Sequence, residues 1–426
     1  MRRREAQKCT ASTETMSAKE RKEYTNGRLR EIVRYAYQNA SAVKEKMDGA
    51  GVKPAQIRTV KDLEKIPITR KDNFTALQKQ NPPFGGFLGI PNGNLEKIFI
   101  SPGPIYEPQD AEEVIESGAK ALYAAGFKKG DRVMVTLNYN MSPAGQRTDQ
   151  ILVKIGATAI PTGIGNTELQ IQIMKDLKVT GYVGTPSFLM TLVKRAEELG
   201  HHFRNDFVLQ HAWTMGEMLS SALRKSLEQD YGISVLQGYG TAELGLLGYE
   251  CPEHSGMHIP EEMIIEIVNP QTGRQVEPGE IGEVVATPFN KIYPLIRFGT
   301  GDLSSITDKP CSCGRTSSRL TGILGRVGEE VKVRGMFIHP RQVEEVLAKF
   351  AEISNFQAVV SRIGERDELT INLELRDESV DRDKLTNDLA RTFQDICRVR
   401  ADNIKFGVKG TIPKDRKIIL DERKWE

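Results

Sequence analysis

The stretch of this chain most suited to chemistry is an apolar run that leads through glycine-rich sequence to a carboxylate. Residues 234–251 read SVLQGYGTAELGLLGYEC, so Glu243 follows the segment Gly-Tyr-Gly-Thr directly after one alanine. Strands of α/β sheets deliver polar groups to their carboxyl edge in this way, and ligands of such folds collect there. The pattern therefore predicts a strand, a glycine turn and a carboxylate at the mouth of a site. An ordinary strand with a solvated glutamate is the alternative.

Cysteine and histidine residues form a second candidate site, with the spacings Cys251-x6-His258 and Cys311-x-Cys313. Zn²⁺ selects thiolate and imidazole ligands, and a Cys₃His set completes a tetrahedral structural site. His254 competes for the place of the fourth ligand. Isolated core thiols and a surface histidine are the alternative. Because the protein would fill all four positions, the predicted zinc is structural and not catalytic.

Charged side chains that could bind a nucleotide recur towards the C-terminus. Asp302 follows Gly-Thr-Gly at a predicted strand end, where a carboxylate can accept hydrogen bonds from a ribose diol or cap its own turn. Arg326 and Arg334 flank a presumed joint between domains, where guanidinium groups can bind phosphate oxygens or simply solvate a linker. Lys414 and Lys417 follow a proline turn. A loop lysine can neutralise a transferring phosphate, or belong to a solvated tail.

Alternating helices and strands must position these residues. The predicted helices are 24–47, 111–125, 143–155, 168–177, 187–199 and 221–231, and the predicted strands are 132–137, 158–161, 181–183 and 208–213. This βαβα order favours a mostly parallel sheet with helices on both faces.

Beyond residue 251 the predicted elements change character. Short strands at 263–268, 282–287 and 295–298 indicate a β-rich subdomain, and the tail combines helices and strands in a small unit. The predicted fold is α/β: a large N-terminal domain of several subdomains, residues 1–327, and a small mobile α+β domain, residues 328–426.

Length and charge exclude several classes of protein. At 426 residues the chain is too long for one typical core, which indicates two or more domains. Lys and Arg number 59 against 57 Asp and Glu, so the chain has little net charge. Its overall electrostatic field therefore does not favour binding to nucleic acid or to a membrane surface. No apolar run reaches the roughly 18 residues of a membrane span. The basic N-terminus lacks a following apolar core, so a secretory signal is not expected, and we expect a cytoplasmic protein.

The order and the amino-acid sequences of these segments resemble those of the phenylacetate-CoA ligase family, within the adenylate-forming acyl-CoA synthetases. The resemblance extends from about residue 24 to residue 423. The motifs that carry it are Ala50-Gly-Val-Lys-Pro, Ile66-Pro-Ile-Thr-Arg-Lys-Asp, Ala159-Ile-Pro-Thr-Gly, Asn166-Thr-Glu, Thr185-Pro-Ser187, Gly216-Glu217, Tyr239-Gly-Thr-Ala-Glu243, Tyr293 to Asp302, Cys311-Ser-Cys-Gly-Arg-Thr316 and Gly325-Arg326.

The resemblance implies a reaction in two steps. A carboxylic acid attacks the α-phosphate of ATP to give an acyl adenylate and pyrophosphate, and the thiol of coenzyme A then displaces AMP. Between the steps the C-terminal domain rotates. Partners would be a small carboxylic acid, ATP and CoA, with no nucleic acid or membrane, and relatives are often homodimers.

Residue roles carry over with the same motifs. Glu243 would hold Mg²⁺, Lys417 would be the mobile lysine of adenylation, with Lys414 as the fallback, and Gly328 would be the hinge. The nucleotide would contact Gly216, Glu217, Gly238, Tyr239, Gly240, Thr241, Asp302 and Arg326. The acid would lie near Tyr139, Ser142, Pro143, Ala144 and Gly238.

One loop departs from the family pattern. Relatives carry a phosphate loop rich in Ser, Thr and Gly, usually with a lysine, whereas residues 101–108 read SPGPIYEP. Proline donates no backbone N–H, and Glu107 adds negative charge where an anion is expected. Two alternatives to the ligase therefore stay open: an adenylyltransferase of the deazaflavin-adenylating type, and a weakened nucleotide- or acyl-CoA-binding homologue.

Overall fold

The structure is a computed structural model that describes residues 12–101, 103–323, 325–327, 331–338, 340–364, 366–377, 379–413 and 416–423. The chain divides into two compact units, residues 1–325 and 326–426. Within the described ranges, every helix is too short or too polar to cross a membrane.

The first unit contains nine α-helices among the described residues, and they pack against its sheets. Their bounds are α1 (Ala18–Asn39), α2 (Ser41–Gly49), α3 (Phe74–Gln80), α4 (Glu112–Ala124), α5 (Pro143–Lys154), α6 (Thr167–Asp176), α7 (Pro186–Glu198), α8 (Phe203–Asp206) and α9 (Ser221–Lys225). A capping box begins α1, because Ser17 Oγ accepts from Glu20 N and Glu20 Oε2 accepts from Ser17 N. The predicted single helix over 24–47 is two helices, since the backbone at Ala40 is extended.

Strands of the first unit have these bounds: β1 (Thr69–Arg70), β2 (Ile98–Ser101), β3 (Ile105–Pro108), β4 (Arg132–Val135), β5 (Thr158–Pro161), β6 (Gly181–Gly184), β7 (His211–Thr214), β8 (Ser234–Thr241), β9 (Gly245–Glu250), β10 (Met257–His258), β11 (Met263–Val268), β12 (Gly282–Pro288), β13 (Phe298–Ser304), β14 (Ile306–Thr307) and β15 (Arg319–Leu320).

The largest sheet has the order β14-β15-β10-β9-β8-β7-β6-β4-β5. Strands β5, β4, β6, β7 and β8 run parallel, and their carboxyl ends therefore share one edge. From β8 to β14 the pairing is antiparallel. The predicted α/β class is confirmed, with a mixed sheet whose parallel half carries helices α5 to α9 between its strands.

A second sheet with the order β1-β13-β12-β11 forms the β-rich part of the unit. The predicted strand at 295–298 is wrong, because β13 begins at Phe298 and runs through the Gly-Thr-Gly-Asp segment to Ser304. Tight turns precede it, and Arg297 has a left-handed backbone with φ of 51°. Strands β2 and β3 pair with each other in a separate two-stranded sheet, to which the SPGPIYEP segment contributes Ser101 and all of β3.

Three apolar clusters hold the first unit together. One joins α1 and α2 to the β-rich sheet, and the other two pack helices against either face of the parallel strands. Trp213 belongs to the cluster that contains α4 and α5. Because helices cover both faces, the parallel strands are apolar and the polar groups are left to the sheet edge.

The second unit is a small α+β domain. After β16 (Gly325–Arg326), its elements are β17 (Val331–Val333), β18 (Met336–Ile338), α10 (Pro340–Leu347), β19 (Ile353–Ile363), β20 (Arg366–Leu375), α11 (Arg382–Cys397), β21 (Asn403–Gly407) and β22 (Ile419–Asp421). A sheet of order β21-β20-β19-β22 packs against α10 and α11 around its own apolar cluster.

Candidate active site

Strand β8 brings the glycine-rich segment to the carboxyl edge of the parallel sheet. The predicted glycine turn at 238–241 is wrong, since β8 continues through Thr241 and pairs with β9. Gly238 and Gly240 instead allow neighbouring groups to pack closely against β8. A Cβ on Gly238 would lie 2.2 Å from the indole of Trp213, and one on Gly240 would lie 2.5 Å from the carbonyl oxygen of Gly245. Any side chain at these two positions would force the neighbouring strands apart.

Tyr239 joins β8 to the second sheet. Its hydroxyl lies 2.8 Å from Asp302 Oδ2 and donates to it, and both residues are buried. Asp302 is fixed from its own strand as well, because its N–H donates to Thr300 Oγ1. The structure thus brings together two residues that lie 63 positions apart in sequence and that the family resemblance assigns to one nucleotide.

Glu243 lies just beyond β8 and is fully buried together with a cation. Lys71 Nζ lies 2.8 Å from Glu243 Oε1, and the side-chain exposures are 20% and 0%. Burial alone favours the neutral carboxyl, but the Lys71 ammonium outweighs it and keeps the pKa of Glu243 below its ordinary value. Lys71 follows β1, which pairs in parallel with β13 beside Asp302. The pair therefore supplies an ionised carboxylate just beyond the end of β8, four residues after Tyr239.

An arginine on α5 connects this carboxylate segment to the β2–β3 hairpin. Arg147 Nε lies 3.0 Å from both carboxylate oxygens of Asp110, and its Nη2 donates to the carbonyl oxygen of Ala242 at 2.8 Å. Ala242 directly precedes Glu243, and Asp110 follows β3 by two residues. Arg147 therefore fixes the hairpin end against the end of β8.

Glu107, expected to add charge near a phosphate, is buried on β3 and only 2% exposed. Burial and the Glu243 charge raise the pKa of Glu107 to about 8. Lys71, Arg147 and this burial of Glu107 were missed by the sequence analysis. The only signal was the position of Lys71 inside the family motif at 66–72, since pattern alone does not show which charges meet in space.

Gly216 and Glu217 follow β7 at the same sheet edge. Gly216 has a left-handed backbone, with φ of 86°, and its Cβ position faces Thr185. Glu217 Oε1 accepts from Ser187 N at 2.6 Å, which satisfies a free N–H at the start of α7. Three motifs of the resemblance, at 185–187, 216–217 and 239–243, thus lie at the ends of neighbouring strands.

Four of the residues expected around the acid lie at the start of α5, after β4. Ser142 caps the helix by accepting from Ala144 N, with Pro143 at the first helical position. The Tyr139 hydroxyl donates to Asp149 Oδ1 at 2.7 Å, so its ring is held in one orientation. Burial, and then the hydrogen bond to Asp149 and its charge, raise the pKa of Tyr139, which keeps this phenol neutral.

Cys251, His258, Cys311 and Cys313 come together at the antiparallel end of the largest sheet, around β9, β10 and β15. Their ligand atoms all lie within 4.8 Å of one another. Cys251 Sγ is 3.7 Å from Cys311 Sγ, and Cys313 Sγ is 3.4 Å from His258 Nε2. Thiolates 2.3 Å from a tetrahedral zinc lie roughly 3.8 Å apart, so these spacings fit the ion.

The two candidate histidines have different surroundings. His258 is fully buried, and its Nδ1 lies 3.2 Å from Ser317 Oγ, which orients Nε2 towards the thiols. His254, the competing ligand, instead lies against Arg224 and Glu250. The described cluster therefore contains His258 and not His254.

Residues expected from the C-terminal part belong to the second unit or lie outside the described residues. Lys417 is exposed, and its carbonyl oxygen accepts from Gln357 Nε2. Arg326 is part of β16. Gly328 and Lys414 lie outside the described residues.

Comparison with protein families gives two matches. Residues 150–287 match the family described as AMP-binding enzyme, and residues 335–423 match the AMP-binding enzyme C-terminal domain.

Curated relatives match over most of their own length. The phenylacetate-coenzyme A ligase of Escherichia coli is 31% identical over 380 residues, which cover 86% of this chain and 85% of the relative. The corresponding protein of Thermus thermophilus is 29% identical over 425 residues, with 94% of each chain covered.

Solved structures share the fold. A 2-hydroxyisobutyryl-CoA ligase in complex with its acyl adenylate and CoA gives a TM-score of 0.89 at 25% identity, covering 97% of this chain and 92% of that one. An o-succinylbenzoate CoA synthetase of Bacillus subtilis gives 0.60 at 17% identity, covering 76% and 68%, and supports the fold alone.

Proposed function

Because the chain belongs to the phenylacetate-CoA ligase family of AMP-binding enzymes, we propose that it joins an aryl or small organic carboxylic acid to coenzyme A. The acid carboxylate attacks the α-phosphorus of ATP, and the bond to the bridging oxygen of pyrophosphate breaks. The CoA thiolate then attacks the acyl carbon, and AMP leaves with its phosphate oxygen. Neither step needs a redox partner.

The observation that carries this proposal is the hydrogen bond between Tyr239 and Asp302 beside the Lys71–Glu243 pair. A carboxylate with one oxygen held by the Tyr239 hydroxyl can present the other to a ribose diol. Tyr239 would also border the adenine, together with Gly216 and Glu217, while Gly240 and Thr241 continue the same strand edge.

Glu243 is the residue proposed to hold Mg²⁺. Lys71 lies 2.8 Å from its Oε1 and keeps the carboxylate ionised, and an ionised carboxylate suits a hard cation. Bound there, Mg²⁺ would neutralise phosphate charge. Lys71 positions Glu243, and Arg147 keeps the preceding carbonyl in place.

The acyl group is proposed to lie between Tyr139, the start of α5 and Gly238. Ser142, Pro143 and Ala144 form that helix start, and the missing side chain at Gly238 leaves its Cα against the Trp213 indole. Aromatic rings fixed in one orientation favour flat apolar partners, so an aryl acid is the preferred class.

From the second unit we propose Lys417 as the lysine of the adenylation step, Arg326 as a ribose contact and Gly328 as the hinge. Lys417 is exposed on a segment anchored by its own backbone, which leaves the ammonium available.

The cluster of Cys251, His258, Cys311 and Cys313 is proposed to hold a structural Zn²⁺. The spacing of its sulfur and nitrogen atoms and the buried position of His258 support this. With four protein ligands the ion would have no open position for a substrate, so it would stabilise the antiparallel end of the largest sheet and take no part in the reaction.

Acid-dependent exchange of pyrophosphate into ATP tests the first step. A panel of aryl and small aliphatic acids should give exchange with at least one acid, and exchange with none would contradict the ligase. Thiol titration then tests the acceptor, since a ligase consumes one thiol for each AMP formed, whereas an adenylyltransferase consumes none.

A further inference from the structure

Helix α5 contacts three separate parts of the proposed site. Its start, residues 142–144, is proposed to border the acid. The carbonyl oxygen of Met141, the residue before the helix cap, accepts from Ile100 N of β2 at 2.8 Å. Arg147 lies one turn into the helix and reaches the end of β8. The acid pocket, the β2–β3 hairpin and the Glu243 segment therefore share one supporting helix.

The Arg147 guanidinium uses all three of its nitrogens for this purpose. Its Nε lies 3.0 Å from both carboxylate oxygens of Asp110, just after β3, and its Nη2 lies 2.7 Å from Asp110 Oδ1. Nη2 also donates to Ala242 O at 2.8 Å, and Nη1 donates to Thr241 O at 3.4 Å. Glu243 is the next residue. Because a guanidinium holds its N–H groups in a rigid fork, these bonds fix the spacing between the hairpin end, the Glu243 segment and α5.

Both the hairpin and Glu243 have a further support outside α5. On α3, Gln78 Nε2 donates to Tyr106 O at 2.7 Å and Gln78 Oε1 accepts from Tyr106 N at 2.8 Å, which holds β3 in place. Lys71 Nζ lies 2.8 Å from Glu243 Oε1. Loss of Arg147 should therefore change the spacing between these segments and leave each of them folded.

We propose that Arg147 is a positioning residue for adenylation, because it fixes the hairpin and the Glu243 segment relative to the acid pocket. The proposal rests on the proposed function, which places the acid at the start of α5 and Mg²⁺ at Glu243. The nitrogens of Arg147 bind protein oxygens, so it acts through the groups that it holds. In-line attack requires close placement of the reacting atoms, and a displacement of about 1 Å can cost about 100-fold in rate.

A second arginine provides a matched control near the other end of β8. Arg224 Nη2 lies 2.9 and 2.8 Å from the two carboxylate oxygens of Glu250, and Arg224 Nη1 donates to Val235 O at 2.8 Å. The exposed fractions of the Arg147 and Arg224 side chains are 16% and 17%. Each arginine thus ties a helix to β8 through a carboxylate and a carbonyl oxygen, but Arg224 lies away from the end that leads to Glu243.

The full-length variants R147M and R224M test the proposal. Both lose a largely buried ion pair, so their melting temperatures should fall by similar amounts. Acid-dependent exchange of pyrophosphate into ATP should lose at least about 100-fold in kcat in R147M and remain unchanged in folded R224M. The affinity for AMP, measured by calorimetry, should be unchanged in both variants, because Arg147 does not hold Tyr239 or Asp302.

The variant R147K separates charge from geometry. Lysine keeps the positive charge, but its single ammonium cannot reproduce the fork that binds Asp110 and two carbonyl oxygens at once. It should therefore restore the melting temperature more fully than the exchange rate. If R147M does not fold, the same comparison with R224M is made with R147K.

Losses of exchange that are equal in R147M and R224M would overturn the proposal, as would an AMP affinity that falls together with the exchange rate in R147M. If the unaltered chain exchanges pyrophosphate with no acid, the ligase function is contradicted and the affinity for MgATP decides the role of Arg147. MgATP binding at least about tenfold weaker in R147M, with AMP affinity unchanged, would then support the positioning role. Equal MgATP affinity in R147M, or no MgATP binding by the unaltered chain, would overturn it.

Discussion

Replacing Lys71 with methionine tests whether the cation beside Glu243 holds the site together. The change keeps most of the side-chain volume but leaves the Glu243 carboxylate buried without its ion pair at 2.8 Å. Removing one partner of a buried ion pair costs about 3–5 kcal/mol. Lys71 is one-fifth exposed, so water can partly compensate, and we expect a loss near the lower end, about 3 kcal/mol in the free energy of unfolding.

Urea unfolding measured without divalent cations provides the assay. Trp213 lies in the core of the first unit, so its fluorescence in a W425F background, where the other tryptophan is removed, reports on that unit. The control K44M breaks an exposed pair with Asp48 and should cost less than about 1 kcal/mol.

The double variant K71M/E243Q decides the physical cause. Because it no longer buries an unpaired charge, it should recover roughly 2 kcal/mol of the K71M loss, within the usual range of coupling energies. If K71M and the double variant unfold at the same urea concentration, the loss comes from packing, and the reasoning about the buried charge is refuted.

Further substitutions test other parts of the site. Y239F removes a hydrogen bond to the charged Asp302, worth about 1.5–3 kcal/mol, and should weaken ATP binding by at least about tenfold in calorimetry; unchanged affinity would separate Asp302 from the ribose. Burial lowers the pKa of Lys46 to about 7, so between pH 7 and about 10.4 the unfolded chain holds a proton that the folded chain has lost, and stability should rise with pH relative to K46M; parallel pH curves would contradict this. C311S should reduce bound zinc from one ion per chain to none and lower the melting temperature, and elemental analysis that finds no zinc in the unaltered chain would end the zinc proposal. K417A should slow adenylation far more than thioester formation from a supplied acyl adenylate, and equal losses in both steps would show that another lysine acts there.

Regular periodicity allowed most elements of the fold to be predicted from sequence. Strands β5 and β11 agree with their predicted bounds, because each is a short run rich in apolar residues that turn residues close. Besides the helix that is divided at Ala40, two errors lie where glycine occurs in strands. Segments 238–241 and 299–302 were expected as turns, yet their glycines allow neighbouring strands and the Trp213 ring to approach closely.

Residue type and motif were sufficient to identify several candidates for the site. Cys251, His258, Cys311 and Cys313 were chosen by ligand chemistry, and the structure brings their ligand atoms within 4.8 Å of one another. The roles of Lys417, Gly328 and the other carried-over residues remain predictions, because ligands decide them and the fold alone does not.

The sequence by itself determined the α/β class, the family and the identity of the carboxylate at the end of β8. Only the tertiary structure decided which charges surround that carboxylate. Lys71, Glu107 and Arg147 come from a short strand, a hairpin and a helix that are distant in sequence, and no local period relates them. Burial and charge pairing are properties of the assembled core, where the exclusion of water strengthens the electrostatic interaction between charged groups. For that reason Glu107, which in sequence appears only to repel phosphate, is a buried carboxyl whose pKa is raised to about 8 once it is surrounded by the core.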